Sequence, residues 1–159
     1  MFPFSTALVT GASSGIGEVM VGLLADAGVP TVVVALRRDR LDALAARYGG
    51  IELLVADLGT AAVQSSLAAL IADPDLPIDL VVNNAGFGTN GAFHELDADR
   101  LAGEIELNVG ALTRLSHAAL AVMIPNLVAL KFAKGQIFTY FVALAPPSTV
   151  CLLFLGSDA

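Results

Sequence analysis

The stretch Thr10-Gly11-Ala12-Ser13-Ser14-Gly15-Ile16-Gly17 joins an apolar run, residues 5–10 (STALVT), to a segment with helical spacing, residues 15–27. An apolar run closed by glycine reads as a buried strand. Ile16, Met20, Leu23 and Leu24 recur at helical intervals, and Gly28 with Pro30 ends the helix. Between the two, Gly11 permits a sharp exit from the strand, and Gly15 leaves the backbone open to a close-lying pyrophosphate. Gly17 permits tight packing of helix on strand. The helix start adds unpaired N–H groups and the positive end of a dipole, which suits the turn to an anion. Three glycines alone also fit an ordinary tight turn. The strand before and the helix after favour the anion site.

The alternation continues downstream. TVVVAL (31–36) is a β-branched run suited to a central strand buried on both faces. Residues 38–48 form a charged helix ended by Gly49-Gly50, IELLVA (51–56) a third strand, and 60–72 a third helix stopped near Pro74. IDLVVN (78–83) is a fourth strand, and 97–123 reads mostly as helix with a break near Gly103. Strands alternating with helices of this length predict the α/β class: a doubly wound parallel sheet with helices on both faces. Residues 1–134 are expected to form the dinucleotide-binding domain. Residues 135–159 are a divergent hydrophobic tail, read as a fifth strand plus an extension of the same domain.

A chain of 159 residues has room for one domain and enough length to bury a core. Its 56% hydrophobic and 14% charged residues exclude a disordered polyelectrolyte. A net charge of −7, with no Lys/Arg cluster to track a phosphate backbone, argues against a nucleic-acid binder. Cys151 stands alone and cannot close an internal disulfide, so no oxidising compartment is implied. Met1-Phe2-Pro3-Phe4 lacks the basic start of a signal peptide, and a cytoplasmic chain is expected. Composition shifts along the chain: residues 1–117 hold 20 of the 23 charges, every arginine lies at or before Arg114, and Lys131 and Lys134 follow it.

Four motifs now stand in order. Thr10–Gly17 has the pattern TGxxxGxG, Asp57 follows the third strand, and Asn83-Asn84-Ala85-Gly86 follows the fourth. Asn108 lies within Leu107-Asn108-Val109-Gly110. On these residues the chain, over roughly 5–123, resembles the short-chain dehydrogenase/reductase family. The resemblance implies a Rossmann-like doubly wound parallel sheet of order 3-2-1-4, incomplete at the C-terminus, and hydride transfer between a nicotinamide cofactor and a small-molecule carbonyl or alcohol. It puts Gly11, Ser13, Ser14, Gly15, Ile16 and Gly17 at the pyrophosphate, and Asp57 at the adenine. Asn83, Ala85 and Gly86 fall beside the nicotinamide ribose, and Asn108 matches the Asn of the catalytic tetrad. Taken singly, Asp57 also suits a helix N-cap, and the two asparagines suit turn backbone. Asn within a helix is unfavourable unless its side chain has a task.

Cofactor choice is read about 20 residues past the glycine turn, where an acidic residue would hold an NAD ribose. That position is Arg37, followed by Arg38. Guanidinium groups pair with a 2′-phosphate where a carboxylate would repel it, so NADP is expected in preference to NAD. Two solvated arginines at a helix start are the alternative.

The family's acid–base chemistry requires a Ser after the fifth strand and a Tyr-x-x-x-Lys motif on the next helix. Gly135-Gln136-Ile137-Phe138 resembles the entry to that strand, but Phe141-Val142 follows where a Ser pair belongs. Tyr140 has Leu144, not lysine, four residues on, and no later tyrosine occurs. The chain therefore reads as an oxidoreductase that is catalytically incomplete as given. A non-catalytic dinucleotide-binding module and a frameshifted or truncated gene product are the competing readings. The second is favoured by the switch from arginine, which GC-rich codons encode, to lysine and phenylalanine, which they do not. His94 and His117 lack partners at metal-ligand spacing, so no metal is expected. Residues 135–157 carry no charge, yet Pro146-Pro147 divides them into pieces too short to span a membrane. Two strands joined by a proline turn fit better than a membrane contact, and an open sheet edge would favour self-association.

Overall fold

The computed structural model describes residues 4–123 and 150–153. Five strands, β1 (Ala7–Thr10), β2 (Thr31–Ala35), β3 (Ile51–Val55), β4 (Leu80–Asn83) and β5 (Val150–Leu153), form one sheet of order β3-β2-β1-β4-β5. Every pairing is parallel, and the register of β1 on β2 runs from Ala7↔Thr31 to Thr10↔Val34. Among the described residues five α-helices accompany it: α1 (Gly15–Asp26), α2 (Arg38–Arg47), α3 (Ala61–Ile71), α4 (Ala98–Ile105) and α5 (Leu112–Met123).

Side chains alternate across the strands and so build two cores. Ala7, Val9, Val33 and Val82 pack with Val21 and Leu24 of α1 and with Leu41 and Leu44 of α2. Leu8, Val32, Val34 and Val81 pack on the other face with Leu67 and Ile71 of α3 and with Leu115, Ala119 and Met123 of α5. Burial on both faces explains why β1, β2 and β4 read as continuous apolar runs rather than alternating ones.

Two details differ from the sequence reading. Helix α1 meets the sheet through Gly17, Val21 and Leu24, while Ile16 and Leu23 are half exposed. The contact stripe is shifted by one residue because the glycine, not the isoleucine, faces the turn. Gly103 does not break its helix. The irregularity comes later, as a π-helical turn over Glu106–Ala111 that contains Asn108. The strand beside β4 is Val150–Leu153, which follows the proline pair and is paired from Leu80↔Val150 to Asn83↔Leu153. Gly135–Phe138, Tyr140 and both lysines lie outside the described residues. Among the described residues no helix is long and apolar enough to cross a membrane, and no cluster of His, Cys, Asp and Glu could hold a metal.

Candidate functional site

A cavity of about 310 Å³ opens at the C-terminal ends of the strands. It lies where the strand order reverses direction between β1 and β4, the usual ligand position in such sheets. Its floor is the glycine turn, Gly11 and Ser13 to Ile16. Residues 34–37, 56–58 and 84–87, with Leu107, supply the walls.

The turn is built around two steric requirements. Gly11 has φ +66°, and a Cβ on it would lie 2.8 Å from Ala85 Cα and 2.9 Å from Ala85 N. A Cβ on Gly17 would lie 2.5 Å from both the Gly11 carbonyl oxygen and Asn84 Nδ2. Gly17 therefore lets α1 start against the turn itself. Gly15 differs, since a Cβ there would meet nothing within 4 Å. Its backbone faces open space, as an approaching phosphate requires. Ser14 stands at the N-cap position of α1 without a side-chain cap bond.

The Ser14 hydroxyl is engaged elsewhere. Arg37 Nη2 donates to Ser14 Oγ at 2.7 Å and to Ser13 Oγ at 2.9 Å, and Nε donates to Ser13 Oγ at 3.2 Å. The guanidinium thus lies against the glycine turn, in the cavity wall. Arg38 goes another way. Its Nη1 lies 3.9 Å from Asp42 Oδ1, one helical turn along α2, with the side chain 73% exposed. Asp57 lines the cavity, and its Oδ1 accepts from the Gly59 N–H at 2.8 Å. It makes this local turn instead of capping α3, whose N-cap residue is Thr60.

The two adjacent asparagines face opposite ways. Asn83 is buried, and its Nδ2 donates to Ser116 Oγ on α5 at 3.3 Å. It is not among the cavity-lining residues, whereas Ala85 and Gly86 are. Asn84 Nδ2 donates to the carbonyls of Thr10 and Gly11, each at 3.2 Å. Thr10 Oγ1 in turn accepts from the Asn84 and Ala85 N–H groups, each at 3.0 Å. Thr10 and Asn84 therefore bind the glycine turn to the segment after β4; sequence reasoning allowed Asn84 a part in turn backbone and assigned Thr10 no such role. The available signal was a threonine closing the strand immediately before the turn.

Asn108 reaches the same segment from the π-helical turn. Its side chain pairs with the Phe87 backbone, and Gly86 passes so close that a Cβ would lie 2.9 Å from Asn108 Oδ1. Asn108 does not line the cavity but holds the wall that does. Such π-helical turns concentrate at functional sites. The arrangement offers backbone N–H groups and one guanidinium to a phosphorylated ligand, with apolar walls at Ala85, Phe87 and Leu107.

Residues 5–139 match the family model of the short chain dehydrogenases. The chain belongs to this family. It is 40% identical over 138 residues to a short-chain type dehydrogenase/reductase of Sinorhizobium fredii, covering 85% of this chain and 50% of the relative. Human L-xylulose reductase is 34% identical over 111 residues, or 69% of this chain and 43% of that one. Among solved structures, a short-chain dehydrogenase from Sphingobium yanoikuyae in complex with NADPH superposes with a TM-score of 0.72 at 38% identity. That match covers 76% of this chain and 49% of the other. A bulky-bulky ketone specific alcohol dehydrogenase from Comamonas testosteroni gives a TM-score of 0.73 at 35% identity, with 76% and 50% covered. This short-chain dehydrogenase chain spans about half the length of the curated relatives it matches.

Proposed function

We propose that this chain is the cofactor-binding part of an NADP(H)-dependent short-chain oxidoreductase acting on a carbonyl or alcohol. The observation that carries the reading is Arg37, folded onto Ser13 and Ser14 beside an uncapped helix start. Gly11, Ser13, Ser14, Gly15, Ile16 and Gly17 hold the pyrophosphate, and Arg37 takes the 2′-phosphate with Arg38 adding long-range positive charge. Asp57 receives the adenine end. Ala85 and Gly86 flank the nicotinamide ribose, Asn83 supports them from the sheet side, and Asn108 steadies the wall. The bound cofactor would supply the hydride; the residues named here bind and orient it.

Turnover is a separate matter. The sequence contains no Tyr-x-x-x-Lys, and general acid–base assistance contributes about 10²–10⁴-fold. The chain should therefore bind NADPH without reducing carbonyls. Fluorescence of NADPH on adding protein tests binding, and its absorbance with a broad carbonyl panel tests turnover. Binding with flat absorbance supports the reading, and turnover that survives a mock-purification control refutes the incompleteness. Self-association belongs to the same reading, because β3 is half exposed at one sheet edge and Ile105 and Val109 are exposed on the helical layer. Size exclusion at several concentrations tests it, and a monomer at the highest one contradicts it.

A further inference from the structure

Gln64 is fully buried on α3, and its amide reaches in two directions. Nε2 donates to the Leu58 carbonyl and to Glu106 Oε1, each at 2.9 Å. Both amide protons are thereby used. Leu58 belongs to the wall that also carries Asp57, and Glu106 opens the π-helical turn that carries Leu107 and Asn108. Gly110 makes the reach feasible, because a Cβ there would lie 2.8 Å from Glu106 Oε1 and 2.9 Å from Oε2. The carboxylate folds back across the bare glycine and meets Gln64. Gln64 Oε1 is buried without a hydrogen-bond partner among the described residues, a cost that an apolar side chain would not carry.

We propose that Gln64 and Glu106 are positioning residues that tie the wall after β3 to the π-helical turn and so fix the width of the cofactor cavity. The proposal rests on the NADP(H) reading above. Neither side chain lines the cavity, so both act through Leu58, Leu107 and Asn108. A dinucleotide contacts both walls at once, and its affinity depends on their spacing. The isolated adenine half contacts one wall and depends on it less.

Hydrogen exchange of the full chain tests the tie without any ligand. Gln64→Met and Glu106→Leu should each speed exchange at both 56–60 and 105–111, with residues 7–10 unchanged. Glu106→Gln retains an acceptor and should match the wild type. Gly110→Ala substitutes neither partner and improves helix propensity, yet its methyl displaces the Glu106 carboxylate and should reproduce the effect. Exchange altered only on the substituted element, or Glu106→Gln behaving like Glu106→Leu, would overturn the tie. NADPH affinity should fall roughly tenfold in Gln64→Met, with a smaller loss for adenosine 2′,5′-bisphosphate. Unchanged NADPH affinity alongside loosened walls would overturn the link to the cofactor. A wild-type chain that takes up no NADPH but shows coupled exchange would overturn the NADP(H) reading and leave the tie standing.

Discussion

Asn108 and Phe87 exchange two hydrogen bonds: the Phe87 N–H donates to Asn108 Oδ1 at 3.2 Å, and Asn108 Nδ2 donates to the Phe87 carbonyl at 2.8 Å. One amide side chain thus satisfies both backbone groups of a cavity-lining residue 21 positions earlier. Only a side chain with donor and acceptor side by side can do this.

Replacing that amide should cost stability in a chemically specific way. Asn108→Ala leaves the Phe87 N–H and carbonyl without their partner and should lose about 1–3 kcal/mol. Asn108→Asp keeps the acceptor but sets a carboxylate oxygen against a carbonyl oxygen, so it should do no better than alanine. Urea unfolding compares the three proteins. An aspartate variant as stable as the wild type would contradict the paired geometry.

The glycines of the turn should separate by what their substitution disturbs. Gly17→Ala drives a methyl into the Gly11 carbonyl and should lose about 1–3 kcal/mol. Gly15→Ala meets no atom, so its stability cost is the left-handed backbone alone, about 1–2 kcal/mol. Its larger effect should fall on NADPH affinity, because the methyl would stand in the proposed pyrophosphate site. Thermal melts with and without NADPH distinguish the two. A Gly17→Ala protein melting like the wild type would show that α1 does not press on the turn.

Arg37 and Arg38 should differ despite being neighbours. Arg37→Met should weaken NADPH by about tenfold to a hundredfold and leave NADH nearly unchanged, as loss of a charge-assisted phosphate contact requires. Arg38→Met, which removes a side chain directed at Asp42, should change the NADPH-to-NADH preference far less. Fluorescence titration with both cofactors measures this. Equal affinity of the wild type for NADH and NADPH would rule out the assigned role.

Thr10 supplies an oxygen, not merely a β-branched strand residue. Thr10→Val preserves shape but deprives the Asn84 and Ala85 N–H groups of their acceptor, and should lose about 2 kcal/mol or more. Thr10→Ser should recover most of it. If valine is as stable as threonine, the hydroxyl is not what joins the two segments.

The strands, the helices between them and the glycine turn were legible because they rest on local patterns: β-branched runs, helical spacing and three glycines at fixed offsets; the strand order came with the family resemblance. The direction of each asparagine in the 83–84 pair was not. Strand alternation sends Asn83 toward α5 and Asn84 toward the turn, and which is which depends on where β4 begins. Gln64 and Glu106 were missed for a related reason. A lone glutamine in an alanine-rich helix looks like a solvent-facing residue until the helix's rotation on the sheet is known. The π-helical turn had one sequence sign, an asparagine within a helix, and Gly103 drew attention from it. Gly103 remains helical, and a Cβ added to it would lie 3.9 Å from the Phe87 ring.

The meeting of Arg37 with Ser13 follows from counting. Thr10 is paired with Val34 across β1 and β2, and each partner of the contact lies three residues beyond its own strand position. The ladder therefore acts as a ruler, carrying both side chains the same distance past the sheet. A single inserted or deleted residue in either connection would break the equality while leaving every strand and helix intact. The NADP(H) preference proposed for Arg37 would thus be gained or lost through a one-codon change in loop length, with no substitution of the arginine itself.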